Sequence, residues 1–212
     1  MAQRIYRLVP ALLCIAAAVC APTAFGQRET GAAAASALRQ EKAGDVIGAD
    51  VKNKEGKDLG EIQDLVFNQG GGITYAVLSY GGFLGMGEKY FAIPWSSFKA
   101  REGGEYTLDV AESRLKGAPG FDKSAWPNMA DPAWATEVDG YFKTNDGGDR
   151  SFGGRASKSR TATVKDLAGA KIGSVEEIII DVNEGRATLI VMRTADEVEP
   201  KDRLVALPWD AT

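Results

Sequence analysis

The side chains that carry most protein chemistry are scarce in this chain. Its 212 residues include no histidine, which removes the usual general base near neutral pH and the commonest metal ligand. Both cysteines, Cys14 and Cys20, lie in an N-terminal stretch read below as removable, which leaves the working chain no thiol nucleophile and no disulfide. Three carboxylates, Asp58, Glu61 and Asp64, lie close together. On a strand, Asp58 and Asp64 share a side that Glu61 does not, so the set reads as a solvated acidic face and not as a calcium or paired-carboxylate site. No EF-hand spacing is present. The run Gly81-Gly82-Phe83-Leu84-Gly85-Met86-Gly87 has the glycine content of a phosphate-binding loop. It lacks the Lys-Ser/Thr pair, and it joins strand to strand, so no helix N-terminus stands behind it to hold an anion. The expectation is a protein that is not an enzyme, with no catalytic residue, no metal and no cofactor.

What that loop offers is apolar. Phe83, Leu84 and Met86 sit on a glycine-rich backbone, and three such side chains are costly to leave in water unless they tuck against the fold or meet a partner. They are the candidate interaction residues.

The elements around the loop read as strands. Segments 46–52 and 59–68 flank the turn Asn53-Lys54-Glu55-Gly56-Lys57, whose Asn and Gly tolerate positive φ. Along the second segment Leu59, Leu65 and Phe67 share one parity, and Ile62 and Val66 the other. Two apolar faces on one strand fit a curved barrel whose outer side is partly covered. Strands at 74–80 and 90–93 enclose the glycine loop, Pro94 ends the pairing because it has no amide donor, and 106–108 makes a fifth strand. A helical extension follows. Asp109 and Glu112 have the spacing of a helix start, and Gly117 that of a helix end. Asp131-Pro132 is a stronger start signal. From there Trp134, Val138 and Tyr141 lie on one helical face, which with Phe121 and Trp126 is expected to pack on the barrel. Segment 144–154 has the composition of a linker.

Beyond the linker the pattern returns. Gly56, Gly60 and Gly72 match Gly169, Gly173 and Gly185 at an offset of 113. Between them IQDLVFN becomes VEEIIID, and Pro94-Trp95 returns one residue later as Pro208-Trp209. Glycines recurring with matched apolar strands point to duplication. Trp95 and Trp209 are predicted structural core, each ring closing one end of its module. Where the first copy has GGFLGMG the second has Ala195-Asp196-Glu197-Val198-Glu199-Pro200-Lys201. The second copy stops at Thr212, before any equivalent of Tyr106–Leu108. It is read as incomplete: either the chain is a fragment, the preferred reading, or the second module lacks a strand, which would leave an open edge for another chain or segment to pair with.

The residues GADVKNKEGKDLGEIQDLVFN, the strand-loop-strand stretch after them and FAIPW resemble the PRC-barrel family, a small β-barrel named after the photosynthetic reaction-centre H subunit. The likeness covers about 45–115 and, more weakly, 161–210. It implies a mainly β fold of two tandem small PRC-type barrels, the second incomplete, with a short helical extension between them. It also implies an adaptor role, since such barrels cap the electron-transfer subunits of the reaction centre and dock a ribosome-maturation factor on a ribosomal protein. The family brings no shared catalytic residues.

Charge and targeting set the compartment. Arg4 and Arg7 precede an apolar run over 8–21, and Ala24-Phe25-Gly26 suits cleavage before Gln27, the pattern of a secretory signal peptide over 1–26. The run of fourteen residues spans about 21 Å, short of the roughly 30 Å hydrocarbon core, so no transmembrane helix is expected in the mature chain. Losing Arg4 and Arg7 takes the net charge from −4 to −6, which argues against nucleic acid as partner. The expected layout is an Ala-rich leader at 27–44, the first module at 45–116, the extension at 117–143, a linker at 144–157 and the second module at 158–212. The function expected is a protein-interaction module, exported and periplasmic, with an unknown protein partner or self-association. The alternative is a small-ligand binder with a pocket between barrel and extension.

Overall fold

The computed structural model describes residues 38–81, 89–144 and 148–211. The signal-peptide reading of 1–26 and the loop residues Phe83, Leu84 and Met86 lie outside them.

In chain order the elements are β1 (Gln40–Lys42), α1 (Ala43–Val46), β2 (Asp50–Lys52), β3 (Asp58–Phe67), β4 (Ile73–Tyr80), β5 (Lys89–Pro94), β6 (Phe98–Ala100), β7 (Tyr106–Leu108), α2 (Glu112–Lys116), β8 (Gly120–Phe121), α3 (Pro132–Phe142), β9 (Gly154–Arg155), α4 (Ala156–Ser159), β10 (Thr163–Lys165), β11 (Lys171–Asp181), β12 (Arg186–Thr194) and β13 (Leu204–Pro208). They form two sheets. One runs β6-β7-β2-β3-β4-β5-β8 with β9 attached to β3, and the other β1-β11-β12-β13 with β10 attached to β11. The fold is mainly β, with the short helical extension between two repeats. Among the described residues both ladders are open paths, so neither repeat is a closed hydrogen-bonded ring.

The duplication is visible in local geometry. Asn53 Oδ1 accepts from the Glu55 and Lys57 amides at 3.0 and 2.8 Å. Its counterpart Asp166 accepts from the Ala168 and Ala170 amides at 2.9 and 2.8 Å. Short side-chain acceptors that bond their own turn are what make Asn and Asp turn formers. Both long strands carry a bulge at the same place. In β3, Ile62 pairs with Leu78 and Asp64 with Val77, leaving Gln63 unpaired. In β11, Val175 pairs with Met192 and Glu177 with Val191, leaving Glu176 unpaired. An extra residue reverses the side-chain alternation. For that reason Ile62 joins Leu65 and Phe67 in the main core, instead of sharing a face with Val66 as strict alternation predicts.

The repeats interlock reciprocally. β1, the lead-in to the first repeat, pairs with β11 of the second, with Glu41 opposite Ile180 and Lys42 opposite Ile179. β9, the lead-in to the second, pairs with β3 of the first, with Gly154 opposite Phe67 and Arg155 opposite Val66. Each of these four residues in the first repeat has its counterpart 113 positions on. Parts of the expected leader (27–44) and linker (144–157) are therefore ladder strands. Composition alone hides this, because lead-in strands of two or three residues draw their order from the other repeat's long strand. Each lead-in then makes one helical turn whose first residue, Ala43 or Ala156, is fully buried. Ser157 N donates to Asp64 Oδ1 at 3.0 Å, and Gly44 N donates to Glu177 Oε1 at 3.2 Å. Asp64 is 1% exposed. It is not part of a solvated acidic face, because the incoming helical turn of the second repeat covers and bonds it.

A second reciprocal contact joins the turns after β3 and β11. Ile73 N donates to Gly185 O and Ala187 N to Gly71 O, both at 2.7 Å. The counterpart of Gly185 is therefore Gly71, not Gly72. The turn holds the extra residue of the second repeat, which is also why Pro208-Trp209 falls 114 positions after Pro94-Trp95. Trp95 lies over Gly185 and Trp209 over Gly71, each tryptophan crossing to the other repeat. The main core accordingly contains residues of both repeats, Ile62, Leu65 and Phe67 together with Ile178, Ile180 and Ala187.

Candidate interaction face

The outer face of the first-repeat sheet shows what covers a surface of this kind. Val66, Tyr75, Val77, Tyr90 and Ala92 are buried there. The extension reaches them by β8, where Phe121 pairs with Tyr90 and Gly120 with Phe91. A Cβ at Gly120 would stand 2.7 Å from the Phe91 ring, so the close strand approach requires glycine. Trp126 meets Tyr90 edge-on at 5.9 Å between centroids, and Trp134 meets Tyr75 at 5.3 Å. Edge-on aromatic pairs at such distances are favourable beyond the area they bury. α3 is held in register at its start by Asp131, whose carboxylate accepts from Ala133 N at 2.9 Å, with Pro132 in the first helical turn. The expected packing face is present in Trp134 and Val138, and Phe121 and Trp126 join it. Tyr141 departs from it. Its hydroxyl donates to Arg114 O at 2.6 Å, which ties α3 to α2, and Phe142 packs on the sheet instead.

The same face of the second repeat has no such cover among the described residues. Following the ladder registers, Val66, Tyr75, Val77, Tyr90 and Ala92 correspond to Ile179, Leu189, Val191, Leu204 and Ala206. All five are apolar. The first three are half-buried, while Leu204 is 58% exposed and Ala206 is exposed. β13 is the outermost strand of its sheet, whereas the corresponding edge of β5 is taken by β8. The face and the open edge lie together. At one end they are bounded by Arg193, which holds Glu176 and Asp202 at 2.7 Å each.

Of the residues singled out in the sequence, Trp95 is 8% exposed and stacks on Phe98 in the main core. Trp209 is half-buried, 5.4 Å from Phe67 between ring centroids. Among the described residues no group of three or more carboxylates converges to hold a metal ion. Asp58 and Glu61 remain exposed, apart from the buried Asp64. The open face itself escapes a reading of isolated motifs. Its signal is Leu189-Ile190-Val191 and Leu204-Val205-Ala206-Leu207, runs apolar on both sides of a strand.

Two further features lie outside that face. A cleft of about 420 Å³ opens between the first-repeat sheet (Gln63, Tyr90), the extension (Lys123, Trp126) and the second lead-in (Arg155, Lys158). The Arg155 guanidinium lies 4.0 Å over the Trp126 ring, a cation–π contact. Near the end of β4, Glu112 takes a lysine from either side, Lys57 and Lys116, and the Tyr80 hydroxyl at 2.8 Å. Lys57 first, then Lys116 and Tyr80, hold the Glu112 carboxyl down to about 2. Burial, then the bond to Glu112, pushes the Tyr80 hydroxyl up to about 12. This cluster fixes α2 against β4.

A model of the PRC-barrel domain family matches residues 39–115 and 155–212. The first matched stretch takes in the whole of β1, and the second begins at Arg155, the last residue of β9. No curated protein sequence matches the chain.

Proposed function

The chain belongs to the PRC-barrel family, and from that premise we propose that it is a non-enzymatic protein-interaction module of the bacterial cell envelope. The observation that carries this reading is the contrast between the two repeats. Among the described residues, the five-residue apolar face that is buried under an aromatic extension in the first repeat lies open in the second, beside a strand edge with no partner strand. Apolar faces of that kind next to an open edge are sites of protein contact. Export follows from Arg4, Arg7, the apolar run after them and Ala24-Phe25-Gly26. Among the described residues no helix is long and apolar enough to cross a membrane.

Affinity capture from an envelope fraction tests the reading. The full chain should retain a protein partner in stoichiometric amount, and the L204D variant should lose it. Equal capture by both proteins would remove the open face from the account. A second reading, a small-ligand binder, is favoured by the cleft at Trp126 and Arg155. A thermal-shift response to small anions, lost in R155A, would move the function there.

A further inference from the structure

Resting on the small-ligand reading of the cleft at Trp126 and Arg155, we propose that it is a site for a compact oxyanion of two or more negative charges, held by Arg155, Lys123 and Lys158. The chain as a whole is acidic, with a net charge of −4. The cleft reverses that sign, since among the described residues three cations and one carboxylate, Asp64, line it. Asp64 does not use the cations up. It is buried and accepts from the amides of Leu65 and Ser157 and from the Ser157 hydroxyl. Arg155 Nη1 stands 3.9 Å from Asp64 Oδ2, beyond hydrogen-bond reach.

Arg155 is the anchor. Its side chain is 20% exposed, yet its guanidinium makes no hydrogen bond among the described residues. A covered donor without an acceptor is costly, and an oxyanion that takes the guanidinium fork removes that cost. The group is aimed before any ligand arrives. It lies 4.0 Å over the Trp126 ring, which Tyr90 and Phe121 hold at 5.9 and 5.2 Å between centroids. Trp126 Nε1 donates to Lys123 O at 3.1 Å, which fixes the Lys123 backbone beside the ring. Lys123 and Lys158 are exposed, and neither has an ion pair among the described residues.

The second repeat shows that the fold does not need these charges. At a distance of 113 positions Gln63, Arg155 and Lys158 correspond to Glu176, Lys42 and Asp45. The ladders agree, since Arg155 opposes Val66 as Lys42 opposes Ile179. Both repeats keep the lead-in turn, but two carboxylates stand where the first has Gln63 and Lys158. The positive charge therefore belongs to this cleft and not to the interlock. A volume of about 420 Å³ suits a small molecule. The face of Trp126 is already taken by Arg155, so the ligand is held by charge and not by stacking. A phosphate ester or a di- or tricarboxylate can meet all three cations at once, whereas a singly charged ion cannot.

Isothermal calorimetry on the full chain at fixed ionic strength tests this with pyrophosphate and citrate as probes and acetate as the singly charged comparison. R155K and K158D introduce the residue type that the second repeat carries, or its charge, at these places, so both should fold, as circular dichroism will establish. K165D, on the exposed strand β10, controls for general charge. The expected result is saturable one-to-one binding of pyrophosphate, citrate or both, and none of acetate. R155K and K158D should each weaken it by about fivefold or more, and K165D should leave it unchanged. Binding of one probe alone assigns the ligand to the phosphates or to the carboxylic acids. Absent binding of both, equal affinity in wild type, R155K and K158D, or an equal loss in K165D overturns the proposal. If both anions fail while choline or glucose raises the melting temperature and R155K abolishes the rise, the ligand class is wrong and the small-ligand reading stands. If none of these probes binds, both fall, and the interaction reading, which rests on the other repeat, is unaffected.

Discussion

Replacing Gly185 by Ala tests the interlock between the repeats, and its cost can be worked out from two separable parts. Gly185 has φ +65°, a region where an L residue costs about 1–2 kcal/mol. Its new Cβ would stand 2.4 Å from Trp95 Cδ1 and 2.7 Å from Nε1. Trp95 cannot easily retreat, because its ring is stacked on Phe98 at 5.8 Å and tilted against Tyr106 at 5.7 Å. Forcing extra volume into such packing costs about 1–3 kcal/mol. The sum is about 2–5 kcal/mol for G185A. Gly169 supplies the control. Its φ is +87° and nothing lies within 4 Å of its would-be Cβ, so G169A should cost only the backbone part, about 1–2 kcal/mol. The packing part should also vanish when the ring is removed, so G185A made in a W95A background should cost about as much as G169A. Urea unfolding of the four proteins and the double variant measures this. If G185A costs no more than G169A, or costs the same with and without Trp95, the crossed tryptophan does not hold the repeats together and the reasoning fails.

Three further predictions concern other parts of the molecule. Trp95→Ala should destabilise by roughly 3–5 kcal/mol, as large core truncations do, and Trp209→Ala by less, since Trp209 is only half-buried; the reverse order in urea unfolding would contradict the packing described. Glu112→Gln should lower the melting temperature near pH 6 and flatten its acid dependence. A carboxyl lowered to about 2 in the folded chain contributes stability that is present above its ordinary value and lost as pH falls from about 4.5 through about 2. The two curves should converge towards pH 2, and a constant separation would show that the Lys57–Glu112–Tyr80 cluster is not the cause. Intact-mass measurement on exported protein should give a chain beginning at Gln27; a mass retaining 1–26 would return that segment to the role of a membrane anchor.

Much of the architecture is legible in the sequence because it is written in local chemistry. The Asn53 and Asp166 turns, the Asp131-Pro132 helix start and the strand at Tyr106–Leu108 follow from residue type and spacing, and the duplication follows from the spaced glycines. What stays hidden depends on the other repeat. Gln40–Lys42 and Gly154–Arg155 have no strand signal of their own, since their partners lie more than 80 residues away in the chain. The helix start expected at Asp109 fails for a reason within the first repeat. Asp109 is paired with Lys54 at 2.6 Å, and α2 begins later, with Ala111 as its cap residue. Asp64 reads as solvated until the Ser157 turn of the second repeat is seen to cover it. The open face is the deepest of these cases. Each of its residues looks like ordinary core, and only comparison with the covered face of the first repeat shows that it lacks that cover among the described residues.

The measurement that bears most directly on this account is site-specific photo-crosslinking in the intact cell envelope. A photoreactive phenylalanine analogue placed at Leu204 lies on the open face. The same group at Leu167, which is fully exposed on the turn between β10 and β11, lies away from it. The account predicts a discrete crosslinked protein from position 204 and none from position 167. The same adducts from both positions, or none from position 204, would contradict it.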